Sequence, residues 1–197
     1  KGKVFFRSAM FVPALTSVVV AGTVFRLMFG EQGGAFLNQV LGVFGCDPLV
    51  WLRKPVTVWI ALFCICLWRW TGVNMMYYLS GLQQIPEELY ESASIDGASV
   101  WQKFLRITLP LLKNTTVYVL TISIYGGMAM FTESYVLFGG NKSPNNVGIT
   151  IVGYLYRTGW EQNNIGLASA IGCVLLAIVM GVNLIQLKLN KVTSGKE

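Results

Sequence analysis

Two ionisable side chains, Arg69 and Glu133, stand out inside the apolar stretches of this sequence. A charge at membrane depth is costly, so an ionisable residue there is a functional candidate by default. Each could hydrogen-bond a polar solute, and aromatic rings such as the tryptophans beside Arg69 suit the apolar faces of sugars. We predict a solute pathway with the candidates Arg69, Trp68, Asn74, Glu133 and Tyr135. The alternatives are a Glu133 near the outer interface, paired with a cation or hydroxyl, and tryptophans that only pack.

Enzyme chemistry has no visible basis in the sequence. The chain has no histidine, which excludes a serine–histidine–aspartate triad and leaves zinc without its usual ligands. The run 139–143 (GGNKS) lacks the spacing of a phosphate-binding loop, since Val136 and Asn141 stand where glycines belong. The four cysteines are expected to be buried small apolar residues. We therefore expect no catalytic residues, no metal and no cofactor.

Composition points to the membrane. Of the 197 residues, 54% are hydrophobic and 12% are charged, whereas about a quarter of the residues in soluble domains are charged. A membrane helix needs about 20 mostly apolar residues. Four stretches qualify, at about residues 4–29, 56–82, 115–138 and 165–187. The expected fold is an all-α membrane protein, with one transmembrane domain over residues 1–197.

The basic residues predict the orientation of these spans, because cytoplasmic loops collect Lys and Arg. Nine basic residues fall on one side if the spans alternate: Lys1, Lys3, Arg7, Lys103, Arg106, Lys113, Lys188, Lys191 and Lys196. Fewer fall on the other side, where the loops would cover about residues 30–55 and 139–164. Both termini and the 83–114 loop are therefore expected in the cytoplasm. The net charge of +6 follows these span ends and forms no stripe that would indicate nucleic acid.

The 83–114 loop is too polar to span a membrane but holds regular apolar residues. Pro86 suits a helix start, and the two glutamates after it favour the positive N-terminal end. Gly97 is expected to break that helix or admit a neighbouring backbone. Ser99 and Gln102 have the spacing of a capping box, so a second short helix is predicted there. Pro110 is expected to bend the chain as it re-enters the bilayer.

The same loop carries a spaced motif. Glu91-Ser92-Ala93 is followed after three residues by Gly97, after nine more by Ile107, and then by Leu109-Pro110. This spacing resembles the EAA loop of binding-protein-dependent ABC importer permeases, EAA-x3-G-x9-I-x-LP. Ser92 departs from the pattern, which has alanine there, but both residues are small.

Further segments resemble the carbohydrate-type branch of that family. They are Lys1–Arg7 with Pro13, Trp68 with Gly72 and Asn74, Gly81–Pro86, Gly139-Gly140 with Pro144, and Tyr154–Tyr156 with Gly166–Ala170. The resemblance implies the core of a six-span permease fold. The first two spans are expected to be missing from this chain.

The resemblance also implies a mechanism and partners. The loop would dock in a cleft of a cytoplasmic ATP-binding subunit dimer, and ATP binding would move the spans between inward- and outward-facing states. The coupling residues would be Glu91, Ala93, Asp96, Gly97, Ile107, Leu109 and Pro110. A second permease subunit, identical or paralogous, and an extracytoplasmic solute-binding protein would complete the assembly in the lipid of a prokaryotic inner membrane. ATP hydrolysis would occur on the separate subunit.

Several alternatives stay open. The loop could be an amphipathic helix that lies on lipid, although the motif spacing favours docking. The whole chain could be an ion-gradient-driven carrier, an importer for a solute other than sugar, or a structural or signalling membrane protein. A carrier would be expected to have paired charges across several spans, and only Arg69 and Glu133 stand out here.

Overall fold

A computed structural model describes residues 2–30 and 35–194 of the chain, with side chains up to residue 188. Within these residues the regular structure is entirely helical, which confirms the all-α expectation. The α-helices are α1 (Gly2–Leu15), α2 (Val18–Met28), α3 (Phe36–Val43), α4 (Pro55–Gln83), α5 (Glu87–Ile95), α6 (Val100–Lys103), α7 (Leu109–Leu111), α8 (Lys113–Met128), α9 (Thr132–Leu137), α10 (Ile151–Tyr156) and α11 (Ile165–Ser194). Two π-helical segments, Phe104–Thr108 and Arg157–Glu161, and a short 3₁₀ turn at Pro144–Asn146 interrupt them.

Helix α4 is the central element. It starts with Pro55 in its first turn, where the missing backbone N–H leaves no bond unmade. Its N-terminal half packs against α2 and α9 in a core formed by Phe25, Phe29, Leu52, Val58, Ala61, Leu62, Ile65 and Leu137. Its middle packs on α1 through Gly72, where an added Cβ would overlap the Met10 backbone carbonyl. Its C-terminal end packs on α8 at Gly81, where a Cβ would lie 2.5 Å from the Thr115 hydroxyl oxygen.

The first predicted span is not one helix. Helices α1 and α2 meet at an angle of 96°, because Ser17 takes an extended conformation with ψ of 133°. The Thr16 hydroxyl donates to the Val12 carbonyl at 3.2 Å, which helps to close the end of α1. Hydropathy runs unbroken through this corner, so the apolar pattern over residues 4–29 could not reveal it.

The third predicted span also differs. Helix α8 ends at Met128, and the chain breaks at residues 129–131 before α9 begins at Thr132. Phe131 has a non-helical φ of −137° and ψ of −57°. Glu133 therefore lies in the first turn of a short, separate helix and not inside a continuous span over 115–138.

Two helices are long and apolar enough to cross a membrane unaided, α4 and the Ile165–Lys188 part of α11. The count rises to four if each bent pair, α1 with α2 and Val100–Leu111 with α8, forms one span. In the most apolar part of this α11 segment, only 6% is buried by the rest of the chain, so lipid or other protein must cover it. A polar contact joins it to α8, where the Gln186 amide donates to the Val117 carbonyl and the Thr121 hydroxyl, both at 3.0 Å.

The expectation of buried cysteines is only partly met. All four are free; Cys64 and Cys66 are half-buried, but Cys46 and Cys173 are exposed. Cys173 lies on the bare face of α11, so an apolar sequence environment did not imply protein burial. Within the described residues no group of three or more His, Cys, Asp or Glu side chains is placed to hold a metal.

Gly72→Ala tests the close packing of α1 on α4. The new methyl group would overlap the Met10 backbone, so we expect the free energy of unfolding to fall by about 2 kcal/mol or more, as in overpacked cores. Gly126→Ala in α8 is the control, because no atom lies within 4 Å of its added Cβ. Denaturant titration of the purified protein in detergent measures both. Equal stability of the two variants would contradict the described packing.

Candidate functional site

The turn between α5 and α6 is built around Gly97. Helix α5 ends in a Schellman motif, in which the Ala98 N–H donates to the Ala93 carbonyl at 2.9 Å and the Gly97 N–H to the Ser94 carbonyl at 3.1 Å. Gly97 has a φ of 74°, a region that glycine enters without steric cost. Apart from its two chain neighbours, no described residue has an atom within 4 Å of an added Cβ at this position. Gly97 is thus required for its backbone angle, and its outward side is open.

The predicted second helix is confirmed, together with its capping box. The Gln102 N–H donates to the Ser99 hydroxyl at 3.3 Å, and the Ser99 N–H donates to the Gln102 side-chain oxygen at 2.7 Å. Both bonds satisfy donors that the first turn of a helix leaves free. The two helices therefore meet at a defined elbow, which we call the 87–111 elbow.

A π-helical segment continues the elbow toward the membrane. The Leu109 N–H donates to the Phe104 carbonyl, five residues back. Pro110 offers no N–H, so wider turns before it accommodate the missing bond. The chain then turns by 62° at Leu112 into α8, which agrees with the bend expected near Pro110.

Two side-chain contacts brace the elbow. The Tyr90 hydroxyl lies 2.8 Å from the Thr108 hydroxyl, and the Lys103 ammonium donates to the Ser94 hydroxyl. The first joins α5 to the π-helical segment and the second joins α5 to the end of α6. Because α5 is tied at both places, a push on it should be carried to the start of α8.

The outer surface of the 87–111 elbow mixes acid and apolar side chains. Among the predicted coupling residues, Glu91, Asp96, Gly97, Leu109 and Pro110 are exposed, whereas Ala93 and Ile107 are half-buried. The prediction omitted the most prominent apolar residues on this surface: Ile95 is 87% exposed, Val100 84% and Trp101 66%. The Trp101 ring stacks on Phe104 at 5.6 Å. Apolar residues in an otherwise polar loop were the signal that could have identified them as site residues.

This surface is chemically suited to a protein cleft. Protein interfaces favour aromatic and aliphatic anchors within a polar rim. The elbow offers Trp101 and Ile95 as anchors, with Glu91 and Asp96 beside them. Because the backbone is fixed by caps at both helix ends, binding would order little additional chain.

Arg69 is half-buried on α4, and its guanidinium Nη1 donates to the Thr16 carbonyl at 3.3 Å. Thr16 is the corner between α1 and α2, where the backbone leaves the helical pattern. The charged side chain thus reaches a carbonyl at the broken end of a neighbouring helix. Such broken helix ends line solute and ion sites in many transporters.

Glu133 lies in the first turn of α9 and is half-buried. Among the described residues its carboxylate has no ion pair and accepts no hydrogen bond. A carboxylate at a helix N-terminus is favoured by the helix dipole. Its position therefore leaves it available to a donor from outside α9.

The other predicted pathway residues have contacts of their own. Trp68 packs its ring 5.5 Å from Phe25. Tyr135 lies across α9 from Glu133 and contacts Phe131 and Tyr156, with ring centroids 5.1 and 5.7 Å away. Asn74 is half-buried and, within the described residues, its side chain makes no hydrogen bond. Residues one or two apart on a helix do not face each other, so Trp68 and Arg69 on α4, and Glu133 and Tyr135 on α9, point to different sides of their helices.

The 139–164 segment forms its own polar and aromatic network. Arg157 donates to the Asn146 side-chain oxygen at 2.7 Å and lies over the Tyr154 ring at 5.4 Å. The Asn141 amide donates to Glu161 at 3.1 Å. A cavity of about 390 Å³ lies between the second π-helical segment and the start of α11, beside the 74%-exposed Trp160. The network gives this segment a fixed shape without long secondary structure.

Comparison with known proteins identifies relatives over nearly the whole chain. The family model described as "Binding-protein-dependent transport system inner membrane component" matches residues 3–194. The arabinooligosaccharides transport system permease protein AraP of Bacillus subtilis (strain 168) is 51% identical over 191 residues, which cover 97% of this chain and 61% of AraP. The trehalose/maltose transport system permease protein MalF of Thermococcus litoralis is 30% identical, with 97% and 63% covered. The chain thus spans about three fifths of the length of these relatives.

A solved structure agrees with the fold. The crystal structure of a bacterial ABC transporter that imports the acidic polysaccharide alginate matches with a TM-score of 0.83 and 22% identity. The match covers 97% of this chain and 67% of that one. The same helical arrangement is therefore known in an importer.

Tyr90→Phe tests the brace of the elbow. The change deletes the hydroxyl that pairs with buried Thr108, a loss of about 1–2 kcal/mol. We expect amide hydrogen exchange in residues 87–95 to accelerate by about tenfold, since local opening follows that free energy. Tyr125→Phe is the control, because Tyr125 is 60% exposed and its hydroxyl forms no hydrogen bond with the described residues. Unchanged exchange in Tyr90→Phe would show that the contact does not stiffen the elbow.

Proposed function

Because this chain belongs to the family of binding-protein-dependent transport system inner membrane components, we propose that it forms the core of a permease subunit of an ATP-binding cassette importer. In this proposal it moves a sugar or related polyol across the inner membrane by alternating access. The single observation that carries the proposal is the braced, exposed 87–111 elbow, which has the form of a lever that a partner can push.

The partner that pushes is, in this proposal, a dimer of cytoplasmic ATP-binding subunits. Ile95, Val100 and Trp101 would anchor in its cleft, with Glu91 and Gly97 at the contact. ATP hydrolysis takes place on that partner, and this chain supplies no catalytic group. A stiff elbow transmits displacement to α8, whereas a flexible loop would absorb it.

The solute is proposed to be carbohydrate. Support comes from the relatives, which are named for arabinooligosaccharides, trehalose/maltose and lactose transport. The polar groups at the helix breaks, Arg69 and Glu133, are the leading pathway residues. Trp68, Asn74 and Tyr135 are retained as further candidates.

The remaining partners follow the same proposal. A solute-binding protein would deliver the sugar to the 139–164 segment on the outer side, and both chain termini would face the cytoplasm. A solved relative of this fold was crystallised in complex with an alginate pentasaccharide-bound periplasmic protein. The bare face of α11 leaves room for a second permease subunit, identical or paralogous, or for lipid.

Reconstitution tests the function. The full permease, its ATP-binding subunit and its binding protein are placed in liposomes, and uptake of radiolabelled arabinooligosaccharide is measured. We expect uptake only with ATP and all components, and no loss on collapsing ion gradients with ionophores. Uptake that persists without ATP and follows an ion gradient would establish the carrier alternative. ATP-driven uptake of another solute only would overturn the carbohydrate assignment.

Gly97→Asp tests docking. The φ of 74° makes aspartate strained at this position, but no other described residue obstructs it, and the new negative charge would add to Glu91 and Asp96. We expect binding of the ATP-binding subunit to weaken by about tenfold or more, as at an interface hot spot, and uptake to be lost while the permease still inserts in the membrane.

Gly45→Asp is the matched control for this change. Gly45 has a φ of 72° and also has no atom within 4 Å of an added Cβ, but it lies far along the chain from the elbow. Normal co-purification of the ATP-binding subunit is expected from it. Equal defects in the two variants would indicate backbone strain alone, and normal binding by Gly97→Asp would contradict docking at this turn.

A further inference from the structure

Two helix breaks flank the same stretch of α4. On one side, Arg69 donates to the Thr16 carbonyl at the α1–α2 corner, at 3.3 Å. On the other side, the Cys66 sulfur lies 3.5 Å from the Met130 sulfur, within the break between α8 and α9. Cys66 and Arg69 are three residues apart and therefore adjacent on the helix surface. Adjacent side chains on α4 thus contact both breaks.

The helical register of α9 places Glu133 toward this region. Glu133 shares a face with Val136 and Leu137, three and four residues on. Val136 packs against Gly22 of α2, and Leu137 lies in the core with Ile65 of α4. Glu133 is therefore directed between α2 and α4, one turn from that core.

The chain positions also relate the two charges to these contacts. Glu133 lies three residues after Met130, which contacts Cys66, and four residues before Leu137, which shares a core with Ile65. Arg69 lies three residues after Cys66 on α4, about one helical turn away. Cys66 is within electrostatic range of both Glu133 and Arg69.

Arg69 and Glu133 differ in the partners that they have in this conformation. Arg69 has a neutral carbonyl acceptor, and Glu133 has no described ion-pair partner. Opposite charges attract strongly where water is scarce, and an unpaired charge there is costly. For a guanidinium, the Glu133 carboxylate is a stronger acceptor than the carbonyl that Arg69 holds.

We propose that Arg69 is a positioning residue that exchanges its acceptor, from the Thr16 carbonyl in this state to the Glu133 carboxylate in the other state of the transport cycle. The exchange releases the α1–α2 corner as it fastens α4 to α9, so the two breaks rearrange together. The proposal rests on the transport function proposed above.

A double-mutant cycle tests the exchange in the full reconstituted importer. Arg69→Gln keeps a donor for Thr16 but removes the charge, and Glu133→Gln removes the other charge. At saturating solute, where affinity for the solute does not enter, we expect each single change to lower the maximal rate by about tenfold. The double variant should lose no more than either single variant, because coupled sites are not additive.

Thermal stability, measured for the complex both without nucleotide and with a non-hydrolysable ATP analogue, separates exchange from a permanent ion pair. The charges pair in only one state of the proposed exchange, so the two substitutions should be coupled in one condition and independent in the other. Rate losses that multiply in the double variant would overturn the proposal. Equal coupling in both conditions would overturn it as well, since it indicates a static pair.

Arg7→Gln and Asp47→Asn are the matched charge controls. Both residues are exposed and lie in separate parts of the chain, so their small effects should combine independently. Wild-type importer must first show ATP-dependent uptake. If it shows none, the transport function fails; if it transports and the Arg69–Glu133 cycle is additive, the exchange alone fails.

Discussion

A peptide carbonyl that loses its helical donor inside lipid has to find another, because no water is present to replace it. The corner at Thr16 creates that problem, and Arg69 provides the donor from α4. The same requirement acts at the α8–α11 contact, where Gln186 reaches the Val117 carbonyl. Polar side chains in the spans therefore have a structural reason to be present before any solute is considered. Their chemistry ties helices together at the places where a helix is broken or a neighbour lies close.

Local chemistry was the part of the structure that the sequence predicted well. Ser99 and Gln102 form the capping box that their spacing indicated, and the backbone angle of Gly97 explains the break after α5. Both features depend on residues within a few positions of each other. Hydropathy located the apolar segments but not the corner at residues 16–17 or the break at residues 129–131. The corner and the break depend on tertiary contacts, namely the contact with Arg69 of α4 and the α2–α9 contact. A local sequence pattern does not indicate such contacts.

The candidate sites divide in the same way. The shape of the segment that holds the proposed coupling residues was predictable, because the motif, the caps and the turn occupy one short stretch of the chain. The exposed anchors Ile95, Val100 and Trp101 were missed because the motif spacing does not include them, although apolar residues on a solvated loop are themselves a signal. The pathway residues were chosen one at a time, as unusual residues in apolar runs. Only the fold separates Arg69 and Glu133, at the breaks, from Tyr135 on the far side of α9.

The arrangement connects the two sites mechanically. Helix α8 begins at the end of the 87–111 elbow and finishes at the break that leads to Glu133, so displacement of the elbow reaches the second break along one rigid element. Helix α4 carries Arg69 and ends just before α5, so it connects Arg69 to the elbow. A push on the elbow must therefore move α8 and α4 relative to each other or be stopped by their contact at Gly81. Because that contact is tight, motion is expected at the breaks, where the backbone already lacks helical hydrogen bonds. Arg69 and Glu133, which lie at the breaks, could then change hydrogen-bond partners.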